Sequence, residues 1–207
     1  MSYADRTRRP PRTLTDDEQR RLLKASGQHA EDFRDHLIFS LALGTGLREG
    51  EIVALDVADV ARPDGKPKRS IQLRYYAKKG NQDNAHARSQ VVHLPDGTYY
   101  KLDKFLRHRR QLDLPATTSP LFLSREGRRL STRRVREIFV EWQGRAGFTD
   151  HYTFHELRHT AITNVYRATR DIRIAQRVAR HARIDTTTRY EHASDQEVAA
   201  AVRGLAS

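Results

Sequence analysis

Residues 33–55 read FRDHLIFSLALGTGLREGEIVAL, and their pattern sets the architecture. Phe33, Leu37, Ile38 and Leu41 recur at helical spacing, and the segment is apolar enough for its helix to be central. Gly44-Thr45-Gly46 ends that helix, because glycine lets the backbone turn tightly where other residues are strained. Glu49 to Leu55 then reads as a short helix beginning just beyond the turn.

Outward from this pair, the N-terminal stretch MSYADRTRRPPRT is polar, basic and carries Pro10-Pro11, so residues 1–13 read as a tail or linker. Thr13 or Thr15 caps a helix containing Glu18, Leu22 and Leu23. After the core helices the period changes. Ile71, Leu73 and Tyr75 alternate with polar residues, as do Val92 and Leu94, which predicts two strands flanking a polar hairpin loop from Lys78 to Arg88. Helical spacing returns at Leu102, Phe105 and Leu106, and again at Val135, Ile138, Phe139 and Trp142. Further helices are predicted around 154–168, 171–181 and 194–205, the last with an apolar stripe of Ala199, Ala200, Val202 and Leu205. The expected fold is mainly α with a small antiparallel β-sheet, an α+β domain without internal repeats.

Charge narrows the partner. Lys+Arg 38 against Asp+Glu 26 gives a net charge of +12, spread along much of the chain. Such a surface attracts a polyanion at long range. A membrane is the competing partner, but no apolar run approaches the roughly 20 residues of a spanning helix, and the N-terminus lacks the apolar core of a signal peptide. Cysteine is absent, so disulfides, thiol nucleophiles and zinc ribbons are excluded. A nucleic-acid-binding protein of the cytoplasm, associated with the nucleoid, is the expectation.

Four separated segments carry chemistry: Gly44 to Ile52 (GTGLREGEI), Lys78-Lys79-Gly80-Asn81, His155 to Thr160 (HELRHT), and His181 followed by Asp185 to Tyr190 (DTTTRY). Breaking a DNA strand by transesterification needs an oxygen nucleophile, cations on the phosphoryl oxygens and an acid for the departing 5′-oxygen. Arginine suits the phosphate because it stays charged and presents a planar fork of donors. Arg158 lies one helical turn from His155, so the two share a face.

In this order the four segments resemble the phage integrase (tyrosine recombinase) family, from about Leu14 to the C-terminus. The resemblance implies an integrase-type catalytic domain of the DNA breaking-rejoining class over residues 14–207, shared in outline with type IB topoisomerases. It implies that Tyr190 attacks the phosphate and forms a 3′-phosphotyrosyl bond, while Arg48 and Arg158 clamp the scissile phosphate. His155 and His181 would complete the pocket by hydrogen bonding or proton transfer. Lys79, with Lys78 as its competitor in register, would protonate the 5′-hydroxyl leaving group. Glu51 matches an acidic position that holds Arg48. The covalent intermediate conserves the phosphodiester energy, so neither a metal nor a nucleotide cofactor is implied. Double-stranded DNA is the implied partner, with a monomer in solution and a homo-tetramer on synapsed DNA.

Each residue also has a plainer role: Arg48 as a surface charge, His181 as a helix-end cation, Tyr190 as a packed ring. Their ordered combination favours the catalytic role. His155-Glu156-x-x-His159 also spells the zinc metalloprotease pattern HExxH, but Arg158 would set a cation beside the zinc, and Arg48, Lys79, His181 and Tyr190 would go unused. The alternatives of another kind are topoisomerase-like relaxation and a DNA-binding regulator with a vestigial site. Two departures stand out. The N-terminal core-binding domain usual in the family is expected to be absent, and Ala179-Arg180 stand before His181 where the family often has Leu-Gly.

Overall fold

A computed structural model describes residues 11–29, 31–73, 90–111, 120–181, 184, 187 and 188. The chain divides into two compact units, Thr13–Ala161 and the segment from Ile162 onward together with residues 1–12.

The larger unit begins with α1 (Asp16–Ser26). Of the two candidate caps, Thr15 is the one used. Its hydroxyl accepts from the Glu18 amide at 3.2 Å, and the Glu18 carboxylate accepts from the Thr15 amide at 2.8 Å, a capping box that satisfies two otherwise orphaned donors. The same carboxylate accepts from the Tyr152 hydroxyl at 3.0 Å, a long-range tie from α1 to the loop before the HELRHT segment.

Helix α2 (Phe33–Thr45) is the centre of the unit, as its composition implies. Leu37, Ile38, Phe39, Leu41 and Ala42 are all fully buried. Phe39 meets Phe139 at 5.7 Å between ring centroids and Phe154 at 6.5 Å, which gathers three helices around one aromatic cluster. The polar flank of α2 is satisfied too: Trp142 Nε1 donates to Asp35 Oδ2 at 3.1 Å in the interior. The helix ends at Gly46 with φ +64°, a left-handed cap that costs glycine little. Two residues earlier, a Cβ on Gly44 would lie 2.8 Å from Thr98 Oγ1 and 3.2 Å from Pro95, so hydrogen is the only side chain that fits.

Beyond the cap come α3 (Glu49–Ala54) and a single turn, α4 (Val57–Val60). The turn escapes sequence reading because four residues carry no period. Strands β1 (Ser70–Leu73) and β2 (Gln90–His93) pair antiparallel, with Ile71 opposite Val92. These two point inward while Val91 faces solvent, the alternation expected of a sheet with one buried face. Leu94 follows the strand and is buried. Tyr75 and the Lys78–Arg88 loop lie outside the described residues. Helices α5 (Asp96–Gln111), α6 (Thr132–Arg145) and α7 (Phe154–Thr169) complete the order, α7 running on into the second unit. There α8 (Ile172–Ala179) packs Ala175 and Ala179 on Ile162, with Val165 and Tyr166 beside them. The expected helix at 194–205 lies outside the described residues. Among the described residues, no helix is long and apolar enough to cross a membrane.

One buried group couples this core to pH. His36 is 6% exposed and its Nδ1 lies 3.1 Å from the Ser26 hydroxyl. Burial, then the ammonium groups of Lys101 and Lys104, push its pKa from 6.5 down to about 4. Above pH 6.5 the ring is neutral both folded and unfolded. Between 6.5 and about 4 only the unfolded chain takes up the proton, so stability falls as pH drops through that window. The loss is at most about 3 kcal/mol. Urea midpoints at pH 7 and pH 4.5 should therefore differ less for His36→Asn than for the wild type; equal differences would rule out His36 as the source.

Candidate active site

The turn after α2 and the first half of α7 build the site in the larger unit. The Gly46 cap turns the chain so that Arg48 stands at the start of α3. Glu51, one turn on, accepts from the Arg48 amide at 2.7 Å and from its Nη1 at 2.9 Å. One carboxylate thus caps the helix and holds the guanidinium, whose side chain remains 44% exposed. Arg158 is the opposite case. It is 2% exposed, and its Nη1 donates to the carbonyl of Gly46. The buried arginine of α7 is thereby tied to the turn that presents the exposed one.

His155 lies one turn before Arg158 on the same helix. Burial, then the cations of Arg158 and Arg48, lower its pKa; the carboxylates of Glu49 and Glu156 oppose them. An imidazole that feels both guanidiniums stays neutral at neutral pH and keeps both a donor and an acceptor nitrogen. His159, the next turn on, meets His155 edge to face at 4.6 Å between ring centroids, with an angle of 87° between ring planes.

Within the HExxH pattern the glutamate is engaged locally. Glu156 turns back to accept from the Thr153 amide at the start of α7. Among the described residues, no group of three or more His, Asp or Glu side chains is placed to hold a metal ion.

His181 belongs to the second unit and is held there from three sides. Its amide donates to the Gln176 carbonyl at 3.2 Å, Gln176 Nε2 donates to its carbonyl at 3.2 Å, and its Nδ1 lies 3.0 Å from the Thr187 hydroxyl. Helix α8 stops at Ala179, short of the expected 181, because Arg180 adopts φ +55°. With the Arg180 amide on the Arg177 carbonyl and the His181 amide on the Gln176 carbonyl, this is a Schellman motif. The family's frequent glycine before the histidine thus has a physical reason, and Arg180 strains the same turn. Arg180→Gly is expected to stabilise the fold by up to about 1 kcal/mol, seen as a raised melting temperature. A lowered one would mean that the arginine side chain contributes more than its backbone costs.

Lys78, Lys79 and Tyr190 lie outside the described residues. Sequence reasoning missed Glu49, which faces Arg136 through two bonds to its Nε at 2.9 and 3.0 Å and acts on His155 by charge. It also missed the Gly46 carbonyl, which no residue pattern could signal because every residue has a carbonyl. Thr187 was missed as well, although its place in the DTTTRY run six residues after His181 was visible.

The sequence profile of the Phage integrase family matches residues 12–197. Tyrosine recombinase XerC of Vibrio cholerae is 30% identical over 199 residues, covering 96% of this chain and 60% of the relative. That of Vibrio vulnificus is 32% identical over 197 residues, covering 95% and 58%. The chain thus spans about 60% of the length of the curated relatives it matches. Among solved structures, XerA recombinase superposes with a TM-score of 0.74 at 27% identity, over 94% of this chain and 65% of that one. XerH recombinase bound to its difH substrate gives 0.72 at 22% identity, over 95% and 55%, a likeness of fold. With its profile match running from before α1 to beyond His181, and with the mainly helical fold and small sheet of its structural neighbours, this chain belongs to the phage integrase family.

Proposed function

We propose that the chain is the catalytic domain of a tyrosine-type site-specific DNA recombinase, which cleaves and rejoins DNA strands through a 3′-phosphotyrosyl intermediate. The observation that carries this reading is that Arg158, buried on α7 one turn after His155, is bound to the turn that presents Arg48, with both cations holding the His155 pKa down. Two fixed guanidiniums beside a neutral histidine suit a phosphodiester whose equatorial oxygens gain charge in the transition state.

In this mechanism the Tyr190 oxygen attacks phosphorus and its proton passes to a neutral base, for which His155 is suited. The bond from phosphorus to the 5′-oxygen breaks, and that oxygen takes a proton from the Lys79 ammonium. His181 adds a hydrogen bond to the phosphate, and Glu51 keeps Arg48 in place. The reverse steps with a new 5′-hydroxyl rejoin the strand, and the phosphotyrosyl bond holds the energy that ligation needs. Double-stranded DNA is the substrate. The reading includes action on the nucleoid in the cytoplasm, with free monomers that assemble as a homo-tetramer on two synapsed duplexes.

Nicked suicide DNA bearing sites from the flanks of the chain's own gene tests the activity. A protein–DNA adduct on a denaturing gel is expected, and a site-bound protein that forms none would overturn the assignment. The same substrates separate the two lysines. A 5′-bridging phosphorothiolate supplies a leaving group that needs no acid, so it should restore cleavage to Lys79→Ala but not to Arg48→Ala. Rescue of Lys78→Ala instead would move the acid one residue back.

A further inference from the structure

Arginines are not treated alike along this chain. In the unit ending at Ala161, carboxylates meet many of the exposed guanidiniums. Arg20 and Arg21 pair with Asp17, Arg107 with Asp103, Arg133 with Glu137 and Arg136 with Glu49. Such pairs cancel much of their field at a distance. From Ile162 to His181 the sequence holds five arginines and one acid, Asp171. That carboxylate caps α8, accepting from the amides of Arg173 at 2.7 Å and Ile174 at 3.2 Å. Among the described residues, no carboxylate lies within ion-pair distance of Arg173 or Arg177.

Helix geometry aligns these two. At roughly 100° per residue, Arg173 and Arg177 share one side of α8, opposite the buried Ala175 and Ala179, and both are exposed. Like charges one turn apart repel, and a cation in the first turn opposes the helix dipole. Among the described residues no carboxylate offsets this repulsion, and an anion on this face would. Guanidiniums bind phosphate oxygens in pairs, and a duplex offers a regular row of them.

We propose that the Arg173–Arg177 face of α8 binds the phosphate backbone of the DNA substrate, adding affinity without sequence preference and without a part in the chemistry. This rests on the recombinase reading above. Each phosphate contact adds about 0.9 to the slope of log affinity against log salt. The test titrates the full chain and its Arg173→Ala/Arg177→Ala variant with a short fluorescent duplex over a range of salt. The variant should lose about 1.8 of the slope, equally for cognate and unrelated duplexes. At saturating DNA its adduct should form at the wild-type rate. Arg20→Ala/Arg133→Ala removes the same formal charge from acid-paired positions and should leave the slope in place.

An unchanged slope in the folded double variant overturns the proposal, while adduct formation by the wild type leaves the recombinase reading standing. A slope that falls equally in the Arg20/Arg133 control also overturns it, because net charge alone would then explain the loss. Lost self-association in light scattering, with the DNA slope intact, overturns it in favour of a second copy of the chain. If circular dichroism finds the alanine variant unfolded, Arg173→Gln/Arg177→Gln keeps length and polarity and is judged by the same slope. A wild type that binds no duplex overturns both readings.

Discussion

Tyr190→Phe is expected to abolish the covalent protein–DNA adduct while leaving affinity for DNA nearly unchanged. The substitution removes one oxygen and keeps the ring, so the hydroxyl that the proposed mechanism uses as nucleophile is all that is lost. The chain has 8 tyrosines, and Tyr190 alone stands nine positions after His181 in the family's order. Transesterification needs a hydroxyl held in line with the scissile bond, and the substitution takes that hydroxyl away. Suicide DNA incubated with the variant should give no shifted band on a denaturing gel, yet a normal shift on a native one. An adduct from the Phe variant would place the nucleophile elsewhere, and mass spectrometry of the linked peptide would locate it.

Much of the scaffold was legible because local chemistry and global fold agree. The Thr15–Glu18 capping box is written as T-x-x-E, and the burial of α2 follows from Leu37 to Ala42 being nearly continuous in apolar residues. The alternation that placed Ile71 and Val92 on one face follows from the two-residue period of a strand. The misses share a cause of the opposite kind. Val57–Val60 is one turn, too short to display a period. Helix α8 ends where Arg180 enters the left-handed region, a place where sequence reasoning looks for glycine or asparagine.

For the site, residue types were legible and their contacts were not. A pattern can nominate Arg48, Glu51, His155 and Arg158. It cannot say that Arg158 is buried while the Arg48 side chain is 44% exposed, since the burial goes with a bond to a carbonyl 112 residues away. Nor could it foresee that both cations bear on His155. The nearby Glu51 bond was readable because i to i+3 on a helix start is a local relation. Long-range geometry separates two arginines that the sequence presents as equals.

That difference yields a further expected result. Arg158→Ala and Arg48→Ala should each slow cleavage by roughly 10² to 10³, because in the proposed mechanism each removes a preorganised donor from the phosphate. Only Arg158→Ala should also destabilise the fold. It removes the buried hydrogen bond from this guanidinium to the Gly46 carbonyl, of a kind worth about 1.5–3 kcal/mol when the donor is charged, and opens a void in the interior. Arg48, with a side chain 44% exposed, leaves no such gap. His155 supplies an independent readout. Its pKa is lowered first by burial and then by Arg158, so losing that cation should raise its titration midpoint toward the ordinary value in an NMR titration. Lysine should rescue either position poorly, since an ammonium lacks the guanidinium's fork. An Arg158→Ala variant that melts normally, titrates normally at His155 and cleaves at the wild-type rate would remove this arginine from both the scaffold and the clamp.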